Sequence, residues 1–277
     1  MEKRILTIQD ISCVGKCSLT VALPVISACG IECAILPSSV LSNHTAKGFS
    51  GWTFKDLTDE MPKIEDQWKK EHIDFDAFYT GYVSKEQIPY IVNIMNSCAR
   101  KGALRIVDPV MADNGKLYAG FDSDFPEEMK KLCKGADVIL PNLTEAALLL
   151  GIEYKTDYSK DKIENIAKQL HGLGARNVII TGVSFNEKEL GVCVCDGNSC
   201  EYYFAEKINA GFHGTGDVFA SVFSGSILRG KTILEAASIA CDFVVESIKA
   251  TISDKDYWYG VKFEKAIPYL VNRLEKN

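Results

Sequence analysis

The segment Asn209-Ala-Gly-Phe-His-Gly-Thr-Gly-Asp217, followed by the apolar run VFASVFSGSIL, gathers residue types suited to handling a charged group. Gly211, Gly214 and Gly216 permit tight turns. A glycine-rich loop that opens a helix aims free N–H groups and the positive dipole end at one spot. That spot suits the charge developing on a transferring phosphoryl group. Asp217 falls in or beside the first helical turn. There it is either a helix cap or a carboxylate that the dipole keeps ionised at neutral pH. Asp108-Pro-Val-Met-Ala-Asp113 puts two carboxylates five residues apart on a loop. Such a pair can hold Mg²⁺ through water, or simply turn the chain in solvent. In Pro141-Asn142-Leu-Thr-Glu145 the Asn and Glu have the spacing of a capping box. The functional alternative puts Glu145 at a metal and Asn142 near phosphate. Ser42-Asn43-His44-Thr45 groups hydrogen-bonding side chains, and Tyr82 can stack on a planar ring or flank the core.

Two nucleotide-binding signatures are absent. Val14-Gly-Lys-Cys-Ser18 has the end of a P-loop, but Asp10 stands where its first Gly belongs and Cys17 follows the Lys directly. No G-x-G-x-x-G follows the first apolar run, so a dinucleotide site is not indicated.

These residues need a scaffold that brings them together. Strand-length apolar runs at Arg4–Gln9, Cys33–Leu36, Ala77–Thr80, Leu104–Asp108, Val138–Leu140 and Val178–Thr181 alternate with helical patterns at Leu19–Cys29, Gln87–Lys101, Glu127–Lys134 and Lys160–Leu173. Buried strands alternating with amphipathic helices predict a mostly parallel sheet covered on both faces. Glu189–Cys195 and Cys200–Ala205, around Asp196-Gly197-Asn198, predict an antiparallel hairpin. Helices are expected at Asp217–Leu228, Ile233–Ser253 and Phe263–Leu274. Polar residues sit at the carboxyl ends of the strands, at Gln9-Asp10, Ser42–Thr45, Gly81-Tyr82, Asp108-Pro109, Pro141-Asn142 and Thr181-Gly182, where such sheets bind ligands.

The 277 residues are 47% hydrophobic and 25% charged, with a net charge of −6. That is ordinary globular usage and gives no overall basic footprint for nucleic acid or anionic membranes. No apolar run is long enough to span a membrane, and the N-terminal run is too short for a secretory signal, so a cytoplasmic location is expected. The ten cysteines contain no C-x-x-C, and in a reducing compartment they read as buried free thiols. No repeat or linker divides the chain, so one domain over residues 1–277 is expected.

Taken together, Gly214-Thr-Gly-Asp217, Asp108-Pro-Val-Met-Ala-Asp113 and Pro141-Asn-Leu-Thr-Glu145 resemble the ribokinase-like superfamily. Ile8-Gln9, Ser42-Asn-His-Thr45, Thr80-Gly-Tyr82 and Tyr259-Gly-Val-Lys-Phe-Glu264 resemble its pyridoxal kinase branch. The resemblance runs almost end to end. It implies a three-layer α/β/α sandwich, usually a homodimer, that transfers the γ-phosphoryl of ATP to the 5′-hydroxymethyl of a vitamin B6 vitamer. It further implies that Asp217 is the general base and that the N–H groups of Gly214, Thr215 and Gly216 form an anion hole. Asp113 and Glu145 would sit at Mg²⁺ and phosphate, with Asn142 and Thr181 at the nucleotide. His44, Thr45 and Tyr82 would line the vitamin pocket, joined by Asp10 or Ser12.

The chain departs from the family pattern at four places. Asp10 replaces the Ser that commonly follows Ile-Gln, and Gly15-Lys-Cys-Ser18 replaces Gly-x-x-Gly-Asn. Ala112 replaces a Gly, and Leu140 replaces a Thr, which argues against a monovalent-cation site. The alternatives are a hydroxymethylpyrimidine kinase, which shares the fold and loop, and a non-catalytic B6- or nucleotide-binding protein.

Overall fold

The computed structural model describes residues 2–45, 48–118 and 120–275. Six parallel strands form its centre: β1 (Arg4–Ser12), β2 (Glu32–Leu41), β4 (Phe75–Thr80), β5 (Ala99–Val107), β8 (Val138–Ile139) and β9 (Asn177–Val183). An antiparallel strand closes each side of this parallel core. β3 (Phe54–Asp56) pairs with β2, while β10 (Glu189–Cys195) and β11 (Cys200–Glu206) extend the sheet from β9 as a hairpin. The order is β11-β10-β9-β8-β5-β4-β1-β2-β3. The chain leaves β1 for β2 on one side and then returns to β4 on the other. This reversal opens a crevice at the carboxyl ends of β1 and β4, the usual ligand position in such sheets.

Alternate residues of each strand feed two cores. Leu6, Phe78, Val107, Ile139 and Ile180 pack under α2 (Met61–Lys70), α3 (Ile88–Ser97), α4 (Phe125–Cys133), α5 (Leu143–Leu150) and α6 (Lys160–His171). Ile5, Tyr79, Ile106, Val138 and Ile179 face α1 (Leu19–Ala28), α7 (Thr215–Leu228), α8 (Ile233–Lys249) and α9 (Phe263–Glu275). Each fully buried Val, Leu or Ile contributes about 1.5–3 kcal/mol, so slipping a strand by one residue would exchange the two cores. The expected α/β/α sandwich with a mostly parallel sheet and an appended hairpin is the one observed. Among the described residues no helix is long and apolar enough to cross a membrane. All ten cysteines are free; six are buried, and Cys13 is exposed.

Several elements differ from the sequence expectation. α3 stops at Ser97 rather than Lys101, because Ala99 already pairs with Phe75 and Gly102 turns at φ 81°. α8 ends at Lys249 rather than Ser253. α2 and β3 were not expected. α2 is largely polar, and its helical signal is the stripe Met61, Ile64, Trp68, with Trp68 edge-on to Phe75. A small hairpin, β6 (Ala112–Asp113) and β7 (Lys116–Leu117), turns through Asn114 (φ 50°) and Gly115 (φ 76°). Asn-Gly with two positive φ values is a strong hairpin signal.

The appended hairpin is held tightly at Gly191, where an added Cβ would lie 1.9 Å from the Tyr203 carbonyl oxygen. A methyl group there forces β10 and β11 apart. Gly191→Ala is expected to destabilise the fold by about 1–3 kcal/mol, read as a lowered urea midpoint with an unchanged slope.

Candidate active site

The glycine-rich loop ends at Gly214, the N-cap of α7, with φ 76°. A Cβ at Gly214 would lie 1.7 Å from the Lys16 carbonyl oxygen, so glycine is required both for the backbone angle and for the close approach. The first helical bond runs from Val218 N–H to the Gly214 oxygen. The N–H groups of Thr215, Gly216 and Asp217 therefore lie outside the helical ladder, at the positive end of the dipole. Gly216 has ordinary φ, and nothing lies within 4 Å of where its Cβ would be. These N–H groups open into a cavity of about 510 Å³.

Asp217 is the third residue of α7 and is half-buried on the cavity wall. Burial pushes its carboxyl up to about 7, the Asp10 charge adds to this, and a hydrogen bond from the Ser18 backbone opposes it. The dipole alone predicted an ionised carboxylate at neutral pH. Desolvation outweighs the dipole here, and Asp217 is poised between its two forms. It does not act as the cap, which is Gly214.

The other walls come from the strand ends. Asp108, after β5, is buried and accepts no side-chain hydrogen bond among the described residues. Burial and the charges of Glu145 and Asp217 hold its carboxyl far above the usual range. Asp113 lies on β6, exposed, and accepts from Asn114 N (2.8 Å) and Nδ2 (2.9 Å). The two carboxylates of that motif are thus not equivalent, and the deeper one is Asp108. Asn142 and Glu145 form a full capping box at α5. Glu145 also accepts from Met111 N at 3.1 Å and from Asn142 N at 2.8 Å, while Asn142 Nδ2 donates to the Ala112 carbonyl at 2.8 Å. The capping reading holds, and the same side chains tie α5 to the Asp108–Asp113 loop. Burial pushes Glu145 up to about 8 against those amide bonds. Thr181 bridges to Asn142 at the end of β9 and joins the wall.

Asp108, Asp113, Asn142, Glu145, Thr181 and Gly214–Asp217 thus share one cavity. Leu140 also lines it, presenting an alkyl group where a Thr hydroxyl was considered. Sequence reasoning missed Tyr118, His213, the Leu190–Val192 and Ala205–Glu206 edge of the hairpin, and Val244, Val245 and Ile248 of α8. Asn114-Gly115 carried the signal for Tyr118. The hairpin and α8 contribute by topology alone.

Asp10, Ser12, His44, Thr45 and Tyr82 are not among the residues lining that cavity. Asp10 and Ser12 are buried at the end of β1, and Ser12 Oγ donates to Asp10 Oδ2 at 2.9 Å. The Asp10 charge acts on Tyr82 and Asp217, which makes it the link between the two groups. His44 is buried, and the Tyr259 carbonyl oxygen lies 3.2 Å from its Nε2. Its ring lies 5.5 Å from that of His213, and burial lowers its pKa. Tyr82 lies against Phe121, ring centroids 5.0 Å apart. Thr45 is exposed on the loop after β2. Ser18 was also missed. It precedes α1 with φ 51° and ψ −133°, rare for a residue other than Gly. That backbone lets its N–H face Asp217 while its hydroxyl faces Asp10.

A family model described as phosphomethylpyrimidine kinase matches residues 37–261. Among solved structures, a Bacteroides thetaiotaomicron protein, provisionally called a phosphomethylpyrimidine kinase and crystallised with pyridoxal, is 37% identical. It superposes with a TM-score of 0.91 over 98% of this chain and 96% of its own. A pyridoxal kinase from Lactobacillus plantarum is 32% identical, with a TM-score of 0.89 over 98% and 97% of the two chains. A pyridoxal kinase from Dictyostelium discoideum is 28% identical over 276 residues, covering 92% of this chain and 87% of the relative. The chain belongs to the phosphomethylpyrimidine kinase family, in the ribokinase-like group that also holds the pyridoxal kinases.

Proposed function

We propose that this protein transfers the γ-phosphoryl of ATP to the 5′-hydroxymethyl group of a vitamin B6 vitamer: pyridoxal, pyridoxine or pyridoxamine. One observation carries the reading. The Asp217 carboxylate stands beside helix-terminal N–H groups that open into a cavity large enough for a nucleotide's phosphates. Phosphoryl transfer requires positioning and charge stabilisation more than covalent chemistry. The N–H groups of Thr215 and Gly216 receive the transferring oxygens, and Asp217 takes the alcohol proton as the bond to phosphorus forms. A base with a pKa near the working pH is well matched to that step. Asn142 and Thr181 lie on the nucleotide wall, and the β10–β11 edge with α8 gives the apolar surface for a base.

The wall fits a divalent cation. It carries Asp108, Asp113, Glu145, Glu206 and Asp217, with no Lys or Arg among the described residues to meet a polyphosphate. No three His, Cys, Asp or Glu side chains among the described residues lie close enough to hold an ion by themselves. Mg²⁺ suits that arrangement, because it keeps several waters and binds one or two carboxylates together with phosphates. A bound Mg²⁺ would supply neutralisation of phosphate charge. Asp108, whose carboxylate accepts no side-chain hydrogen bond among the described residues, would hold the ion directly, and Asp113 and Glu145, whose oxygens already accept hydrogen bonds, would hold it through water.

The family description favours a second reading, an aminopyrimidine alcohol as acceptor. Release of ADP over the three vitamers and hydroxymethylpyrimidine, each with Mg·ATP, separates the two. Turnover of the pyrimidine alone would sink the B6 reading.

Asp217→Asn should fold and lose about 10²–10⁴-fold in kcat. In the wild type, kcat/KM should fall about tenfold per pH unit below about 7, as Asp217 gains its proton. The sign for stability is opposite. A carboxyl whose folded pKa is raised binds its proton more tightly in the folded state, so stability is lost as pH rises towards 7. Asp217→Asn should therefore gain more over wild type in thermal midpoint at pH 8 than at pH 4. A kcat near wild type in the folded variant would remove Asp217 from the role of base.

Gly216→Val should leave the thermal midpoint near wild type, since its Cβ meets no protein atom, yet abolish ATP turnover by filling the space before the N–H groups. Retained turnover with an unchanged ATP KM would show that phosphate binds elsewhere. Asp108→Asn should raise the Mg²⁺ concentration for half-maximal turnover more than Asp113→Asn does. The reverse order in the Mg²⁺ titrations would return the ion to Asp113.

A further inference from the structure

β10 and β11 are joined by a turn through Gly197-Asn198, and three cysteines lie beside it: Cys193 and Cys195 on β10, and Cys200 on β11. The turn is held from several sides. Asp196 N–H donates to the Ser199 carbonyl at 3.3 Å, and the Asp196 carboxylate accepts from Asn198 N at 2.9 Å and from Ser199 N at 2.8 Å. A Cβ at Gly197 would lie 2.5 Å from the His171 ring, so the turn sits against the end of α6. Cys195 is the direct cross-strand partner of Cys200, and Cys193 that of Tyr202. Hydrogen-bonded and non-hydrogen-bonded pairs alternate along an antiparallel ladder. Asp196–Ser199 carries the hydrogen bond, so Cys195–Cys200 is a non-hydrogen-bonded pair, the closer kind, with Cα atoms about 4.5 Å apart. A disulfide spans about 4.4–6.8 Å between Cα atoms. Cys193 is the diagonal neighbour of Cys200, a relation of about 7–8 Å that falls outside this range. All three thiols face the core beneath α6, and that of Cys200 meets the other two. Cys193 and Cys195 are fully buried, while Cys200 is partly exposed.

We propose that Cys195 and Cys200 form a redox modification site, joined as a reversible interstrand disulfide by exchange with a small aliphatic disulfide such as oxidised glutathione. The Cys200 thiolate attacks one sulfur of the reagent, whose other half leaves as a thiolate. The Cys195 thiolate then displaces the remaining half from Cys200 and closes the Cys195–Cys200 bond. The protons of the two cysteines pass to the two departing thiolates. One reagent disulfide is thereby reduced to two thiols as two protein thiols are oxidised. Burial holds the Cys200 thiol well above its ordinary value, which makes the exchange slow. The same property makes Cys200 a poor leaving group, so the bond is slow to be reduced once made. The other end of the hairpin, Leu190–Val192 and Ala205–Glu206, walls the cavity. The disulfide therefore clasps the two strands at the end remote from the cavity, and it fixes a pairing that is already present.

The test incubates the full chain, reduced beforehand, with oxidised glutathione under native conditions, blocks the remaining thiols, and maps the peptides by mass. The expected product lacks two hydrogens, carries no glutathione, and joins Cys195 to Cys200, with Cys193 recovered as a blocked free thiol. It should form within hours and raise the thermal midpoint by about 2–6 °C. Dithiothreitol should reverse both changes. Cys195→Ser should stop the exchange at a Cys200–glutathione adduct, and Cys193→Ser should leave the product unchanged. A wild-type chain that stays unmodified, keeps glutathione on Cys200 or is joined through Cys193 would overturn the proposal. So would a bond that forms only in urea, or one that leaves the midpoint where it was. These outcomes are all read on the wild-type chain, so none depends on a variant folding, and none involves turnover, so they stand apart from the kinase reading.

Discussion

Five carboxylates, Asp108, Asp113, Glu145, Glu206 and Asp217, face one cavity; Glu206 pairs with Lys249 at 3.1 Å, and among the described residues no Lys or Arg pairs with the other four. The local structure around the site is an arrangement for tolerating this. Neutral donors take the place of cations: backbone amides of Met111 and Asn142 for Glu145, and that of Ser18 for Asp217. Such donors reduce the cost of burying charge without cancelling it, so Glu145 and Asp217 are held with carboxyls near neutrality. An Arg would satisfy the cluster more completely, but it would fix Asp217 as an anion and, in the proposed reading, compete with a divalent cation for the carboxylates. The carboxylate cluster keeps electrostatic strain, at some cost to the stability of the fold.

The parallel sheet is what allows so much acid to converge. Residues of distant sequence position arrive at one edge because every parallel strand ends there. The reversal between β2 and β4 leaves a gap that side chains from both directions enter. Asp10 and Ser12 come from the first strand, Asp108 from β5, Asn142 and Glu145 from the turn after β8, and Asp217 from a helix on the opposite face of the sheet to α5. Such convergence explains why the separate motifs carried little weight singly and considerable weight together.

The sheet and most helices were legible because their signal is local: apolar runs, periodicity, and Gly or Pro at the breaks. α2 was hidden by its polarity, and β6–β7 is a four-residue pairing whose Asn-Gly turn was its only cue. The Gly-rich loop and the Asn142–Glu145 box were legible as chemistry and as capping alike; the box caps α5, and both segments line the cavity. That Asp108 is buried and Asp113 exposed was not legible, since both are Asp on one loop. The ionisation of Asp217 was misjudged for a related reason. A helix dipole can be read from sequence, but desolvation belongs to the assembled fold. Ser18 was beyond reach, because nothing in the string announces a serine with positive φ.

The loop bearing Gly214 rests on the Lys16 carbonyl. Lys16 in turn is fixed from the far end of the chain: its N–H donates to Tyr259 O at 3.1 Å, its ammonium pairs with Glu264, and it lies over the Phe263 ring. Gly260 packs against its side chain so closely that a Cβ would lie 2.2 Å from it. The segment that shapes the floor of the site therefore belongs to the first twenty residues, yet its last supports arrive with residues 259–264. On a ribosome, which releases the chain from its N-terminus, the parallel strands emerge before the residues that support the Gly214 loop. Until residues 259–264 emerge, the loop bearing Gly214 lacks the contacts that fix Lys16.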